Sequence, residues 1–422
     1  MIKTYYILIF STFFLLCNSE LRSDEINIDS LYQSALNKYN DSQFEDALSE
    51  LNALIAIDST ISEFFNARGT VNYQLDNFEE AIKDFSNSIR LGIEKPDALI
   101  NRANTFARMK NFDRAMSDFS KALDIDSKNT SLYYSRGIFY AELGRHLDAI
   151  KDFSIIIAID PKNARAFYSR AMSYYEIENL VDALKDLNEA IKINPQFTDA
   201  YKLRGPIKQK TGHFEEAIDD YSYVIKQDNN NINALFNRAL SYQALGDDRL
   251  ALNDYTNVLS LEENKIAYFN RGLIYYEMDE IEKAISDYDN VLRLAPADVE
   301  ALNNRANILY EAKKYDKAVE DFSALLAISE SSDFYFSRGN CYFNLGKYDL
   351  AIKDFSQAIK QDPNSLQTFY NRGRAYKNLG NIDAALKDYD KFITLAKNDH
   401  SYARYVESVM KEVESLKRSS RE

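Results

Sequence analysis

Apolar and small residues recur along this chain at intervals of three and four, and the pattern breaks and restarts at a fixed period. Around Gly137, the residues Tyr133, Gly137 and Tyr140 stand at −4, 0 and +3, one stripe of a helix. Leu143-Gly144 closes that helix with a terminal glycine. Asp148-Ala149 opens a second helix, whose stripe is Ala149, Phe153 and Ile156, and Ile159-Asp160-Pro161 stops it. The predicted unit is a helical hairpin. Its two small residues let the paired helices approach closely, and the aromatic side chains fill the space beside them.

The same unit returns along nearly the whole chain. An Arg followed by a small residue stands at Arg68-Gly69, Arg102-Ala103, Arg136-Gly137, Arg170-Ala171, Arg204-Gly205, Arg238-Ala239, Arg271-Gly272, Arg305-Ala306, Arg338-Gly339 and Arg372-Gly373, at spacings of 33 or 34. Twelve residues after each small residue is an alanine, from Ala81 to Ala385, and four further on a large apolar residue, from Phe85 to Tyr389. One period earlier, Ala35, Ala47 and Leu51 mark an eleventh unit. The array spans residues 28–399. One hairpin has too little core to fold alone, so neighbours must stack and bury the faces each leaves open.

The pattern Tyr133-Tyr134-Ser135-Arg136-Gly137, Leu143-Gly144, Ala149-Ile150-Lys151-Asp152-Phe153 and Asp160-Pro161 resembles the tetratricopeptide repeat, over some 88% of the chain. The resemblance implies an all-α fold: a right-handed superhelical α-solenoid of eleven repeats forming one solenoid, with a concave groove and a role in binding peptides or scaffolding. Two departures stand out. Trp is absent, with Tyr, Phe or Leu in its place (Phe65, Tyr133, Phe167, Tyr201), and Pro206 lies inside a first helix, where a kink is expected.

Few residues lie outside the array. Residues 1–19 read as a signal peptide: Lys3 precedes the apolar run Tyr5–Leu16, too short to span a bilayer comfortably, and the small residues Cys17 and Ser19 follow. Cleavage after Ser19, a lipid on Cys17 and an uncleaved N-terminal anchor are the three forms that reading can take. Residues 20–27 are a spacer. The expected localisation is exported, periplasmic or associated with the cell envelope. Residues 400–417 carry Tyr402, Tyr405, Val406, Val409, Val413 and Leu416 at helical spacing, the pattern of a C-terminal capping helix.

Composition narrows the function classes. Gly and Pro number only 12 and 6 in 422 residues, which disfavours turn-rich β architectures. A formal charge of −14 argues against a nucleic-acid partner. His146, His213 and His400 are far apart, no phosphate loop or nucleophile elbow is present, and Asp124 and Asp126 lack the rest of a calcium loop. The sequence therefore predicts no enzyme, no cofactor, no metal and no small-molecule substrate. Cys341 falls in a helical stripe and reads as packed.

The repeated Arg could form a row of anion-binding fingers. Yet an Asp stands sixteen residues after every one, from Asp84 to Asp388, which reads as a structural ladder joining first and second helices. Positions −3, +1 and +4 from the small residue lie on the neighbouring stripe, which the family turns toward its groove. Tyr134, Tyr168, Phe236, Phe269, Phe336 and Tyr370 stand there, with Tyr73, Tyr175, Tyr276, Tyr310 and Phe343, an expected exposed aromatic row. The family's chaperone clamp does not match, because the one Lys at −3, Lys202, is followed by Pro206. Amides collect toward the C-terminus, so Asn303, Asn304, Asn307, Phe336, Asn340, Tyr370, Asn371 and Arg374 are the expected peptide-binding groove. The N-terminal alternative is Asn101 with Asn104. The expected partner is a protein or peptide; a self-associating scaffold of an envelope assembly is the alternative.

Overall fold

A computed structural model describes residues 27–92, 96–397 and 402–419. The expected signal peptide with Cys17, nearly all of the spacer, and His400 lie outside the described residues. Among those described, every regular element is helical. The chain divides into two compact units, Met1–His213 and Phe214–Glu422.

In the first unit, α1 (Ile28–Asn40) and α2 (Phe44–Ile57) form one hairpin, and α3 (Ser62–Gln74) and α4 (Phe78–Leu91) the next. They are followed by α5 (Pro96–Arg108) with α6 (Phe112–Ile125), α7 (Thr130–Glu142) with α8 (His146–Ile159), and α9 (Ala164–Glu176) with α10 (Leu180–Ile193). The unit closes with α11 (Thr198–Lys210), which runs through Pro206 without interruption. Pro206 has no N–H to donate to the carbonyl of Lys202 four residues back, and Lys202 stands at an exposed position.

The second unit opens with α12 (Phe214–Gln227). Its hairpins are α13 (Ile232–Leu245) with α14 (Asp248–Leu261), α15 (Lys265–Glu277) with α16 (Ile281–Leu294), and α17 (Val299–Glu311) with α18 (Tyr315–Ile328). Then come α19 (Ser332–Asn344) with α20 (Tyr348–Gln361), α21 (Leu366–Asn378) with α22 (Ile382–Ala396), and finally α23 (Ala403–Ser419). Val409 and Val413 of α23 are buried among Phe369, Phe392 and Ala396, so this helix covers the last hairpin.

Each hairpin turns through one residue with positive φ, and the eleven repeats divide in how they meet that demand. Gly144, Gly212, Gly246, Gly346 and Gly380 take φ of 71–80°, whereas Ser42, Asp76, Lys110, Glu178, Asp279 and Lys313 are held near 60° despite their Cβ atoms. Inside the hairpin, the small residue sits against the second-helix aromatic. A Cβ on Gly137 would stand 2.7 Å from the Phe153 ring, which is itself wholly buried.

The Arg–Asp ladder is structural. Nine pairs, all those whose two members share a unit, are bidentate: in Arg238–Asp254, Nε and Nη2 donate to the two carboxylate oxygens at 2.7 and 2.9 Å. Sequence spacing did not anticipate the third guanidinium nitrogen. Nη1 donates backward to the preceding repeat, to Asn52 from Arg68, Ser86 from Arg102, Ser154 from Arg170 and Ser222 from Arg238. Each such Arg therefore ties three helices. The aromatics before and after it flank the guanidinium, as Tyr133 and Tyr140 flank Arg136 at 5.6 and 5.7 Å. The first repeat has no Arg; there Glu50 accepts from Ser34 and Lys38 instead.

Candidate functional site

First helices contact one another from repeat to repeat, as α5 packs on α7 in the first unit and α19 on α21 in the second. The side chains at −3 and +1 share that first-helix face. The row of aromatics at −3 is not exposed, which corrects the expectation. Tyr134, Tyr168, Phe236, Phe269, Phe336 and Tyr370 are all half-buried, because each leans on a neighbouring ring. Tyr134 meets Phe153 at 5.8 Å, Phe269 meets Tyr288 at 5.5 Å, and Phe336 meets Phe355 at 6.0 Å. The aromatics at +4 staple the hairpin turn: Tyr73 on Phe78, Tyr310 on Tyr315, Phe343 on Tyr348. Tyr276 donates its hydroxyl to Glu311 of the next repeat, and that bond with burial raises its pKa.

The eight candidate residues lie on α17, α19 and α21 of one unit, and they divide by what already engages them. Asn304 donates to the Tyr288 hydroxyl at 3.3 Å, one of several bonds in which a second-helix Tyr reaches the following first helix; Asn270 and Tyr255 repeat it. Its amide is structural. Asn371 donates to the Asn340 side-chain oxygen at 2.8 Å, linking two repeats. Arg374 stacks on Phe343 at 4.6 Å and on Tyr370 at 5.7 Å, while Tyr405 of the capping helix meets Tyr370 edge-on at 6.0 Å. Among the described residues, Arg374 forms no ion pair, and neither Asn303 nor Asn307 forms a side-chain hydrogen bond. The patch is thus an aromatic wall bearing one cation, beside amides with donors and acceptors to spare.

Sequence reasoning missed the cap's part in this patch. Tyr405 meets Tyr370 at 6.0 Å and Tyr402 meets Phe392 at 6.4 Å, so α23 extends the aromatic wall beyond α21. Cys341, in the last turn of α19, is wholly buried, and burial pushes its thiol up to about 12. It is inert packing. In the other unit, Asn101 donates to Asn66 at 3.1 Å, and Asn104 is completely enclosed. Among the described residues, no group of three His, Cys, Asp or Glu converges to hold a metal. No described helix is long and apolar enough to cross a membrane.

Tetratricopeptide-repeat family models match residues 96–129, 164–197, 269–333, 332–365 and 366–399, in register with the hairpins above. The chain belongs to the tetratricopeptide-repeat family. Its helices alternate in the family's tandem pairs, and the repeat is a protein-interaction module that binds protein or peptide partners. A comparison with curated proteins found no match. Among solved structures, a tetratricopeptide-repeat protein from Parabacteroides merdae is 23% identical, over 58% of this chain and 98% of that one, with a TM-score of 0.38. YrrB, described as having an unusual peptide-binding site, is 24% identical over 43% of this chain and 94% of its own, at 0.39. Yeast Tom70 is 14% identical over 93% and 96%, at 0.33. The family assignment rests on the matched repeats, and these likenesses add nothing to it.

Proposed function

We propose that this tetratricopeptide-repeat protein is an exported, non-enzymatic binding module whose second unit holds a peptide segment, or the exposed segment of an envelope subunit, along α17, α19 and α21. The observation that carries the reading is the pairing of unengaged amides at Asn303 and Asn307 with the wall of Phe336, Phe343 and Tyr370. Amides pair with a peptide's N–H and C=O without demanding a sequence, and aromatic faces select apolar side chains. Asn340 has capacity left as well, since its oxygen accepts one bond from Asn371 and a second lone pair remains.

Crosslinking in the native cell followed by mass spectrometry identifies the partner. With that partner in hand, Asn307→Ala combined with Asn340→Ala weakens binding at least about tenfold, ~1.4 kcal/mol. Full affinity in the double variant, with loss on altering Tyr134 or Tyr168, refutes the assignment and moves the site to the first unit. Export is supported by Lys3, the run Tyr5–Leu16 and the small residues Cys17 and Ser19. Cell fractionation with mapping of the mature N-terminus tests it, and an unprocessed cytoplasmic chain refutes it.

A further inference from the structure

Second helices open on a common pattern that two adjacent repeats of the first unit break. Ten residues after the small residue stands a charged side chain, from Glu45 and Glu79 to Asp349 and Asp383, except where Leu147 and Val181 take its place. These two are 65% and 78% exposed. A charged residue serves that position in every other repeat, so packing within the hairpin does not call for the apolar pair. Met109, Phe112 and Ile177 are exposed at the same hairpin turns. Successive turns are neighbours: Asp76 stands 3.9 Å from Arg108, Glu178 stands 4.0 Å from Lys210, and the Phe112 and Phe139 ring centres are 5.8 Å apart. The turns of α5–α6, α7–α8 and α9–α10 thus form one apolar edge, and a contiguous exposed apolar patch marks an interaction surface.

The charges around that edge select its occupant. Five, seven and eleven residues after the small residue, the α5–α6 hairpin carries Arg108, Lys110 and Arg114, whereas the α9–α10 hairpin carries Glu176, Glu178 and Asp182. Asp113 leaves the first of these turns net basic, and among the described residues Lys110, Arg114 and Glu176 form no ion pair. In the repeat between them, Asp148 is already neutralised by Arg145 and Lys151 at 2.7 and 3.0 Å. A surface that is basic on one side of an apolar centre and acidic on the other is complementary to its own copy turned about that centre. We propose that this edge of the first unit is a two-fold interface between copies of the chain, with Leu147 at the axis and the basic turn of each copy on the acidic turn of the other. The proposal is independent of the binding reading above, which concerns the other unit. Three turns per copy make a small contact, under about 1,200 Å² in total, the size of transient complexes, so the dimer forms and dissociates with concentration.

Sedimentation velocity of the full chain over a hundredfold range of concentration reads the dimer. The expected result is a monomer–dimer equilibrium that Leu147→Glu with Val181→Glu weakens at least about tenfold. Both substitutions place a charge where the other repeats carry one, so the helices persist, and circular dichroism checks that they do. Lys110→Glu with Arg114→Glu in one variant, and Glu176→Lys with Glu178→Lys in a second, each dimerise weakly alone. Mixed in equal amounts the two variants pair with each other, because every reversed charge then meets its opposite. A chain that stays monomeric throughout overturns the proposal, whatever else the edge binds. Association untouched by the Leu147 and Val181 changes places the contact elsewhere and overturns it too. Failure of the mixed charge variants to pair shows that the contact is not two-fold, which equally overturns the proposal.

Discussion

Removing one rung of the Arg–Asp ladder separates a structural role from a surface one. In Arg238–Asp254 the Arg side chain is 17% exposed and the Asp 1%, and the guanidinium is held at three points on α14 and α12. The pair's bond to Asp254 raises the Arg238 pKa, so the cation is bound more tightly than in water. Arg238→Ala leaves the Asp254 carboxylate buried without its cation, a change that costs about 3–5 kcal/mol. That exceeds the ~1–3 kcal/mol of an ordinary unsatisfied polar group, because the orphan is charged and the Ser222 bond is lost with it. Arg293→Ala is the control: its pair with Glu263 is half-exposed on both sides, and the urea midpoint should not move measurably. Urea titration followed by circular dichroism reads both. Arg238→Met with Asp254→Leu should recover most of the loss, since an apolar pair of similar volume needs no counter-charge. If Arg238→Ala melts with the control, the ladder is not holding the hairpins and the anion-binding reading returns.

Three further outcomes follow from local geometry. Gly137→Ala should destabilise by about 1–3 kcal/mol because the new Cβ meets the buried Phe153 ring at 2.7 Å; Gly272→Ala, whose nearest neighbour is Asp287 Cβ at 3.3 Å, should cost clearly less, since the approach is looser and helix propensity favours Ala, and equal melting of the two contradicts the packing argument. Lys313→Gly or Asp279→Gly should raise the melting temperature, worth about 1 kcal/mol each, because both now hold φ near 60° with a Cβ; a fall in melting shows that those side chains contribute more than their strain costs. Burial pushes Tyr32, Tyr168 and Tyr255 up to about 12, so these phenols stay neutral when folded while the unfolded chain ionises near 10. Their stabilisation is whole below pH 10 and is lost as pH rises toward 12, so phenolate absorbance and helix loss should appear together in that window, and titration near 10 with intact helices counts against it.

How much was legible depended on whether a feature repeats within one hairpin or arises between hairpins. The 34-residue period, the helix pairs, the Gly137–Phe153 contact and the sixteen-residue Arg–Asp pairing all follow from residues close in sequence, because helical geometry maps spacing onto a face. Sequence by itself therefore determined the fold and the structural nature of the ladder. Only the tertiary structure decided what covers each face. The second-helix ring of the same hairpin turned the −3 aromatics from an exposed row into half-buried packing, and stacking of repeats drew Asn304 onto Tyr288 and Asn371 onto Asn340. It also carried the third Arg nitrogen back to the preceding repeat, and brought Tyr405 of the cap against Tyr370. The amide, arginine and cap contacts join side chains of different repeats, or of a repeat and its cap, across a distance set by how neighbouring hairpins pack. Periodicity shows which way a side chain points along its own helix; whether that direction meets water, a ring or an amide is settled by the next helix in the stack.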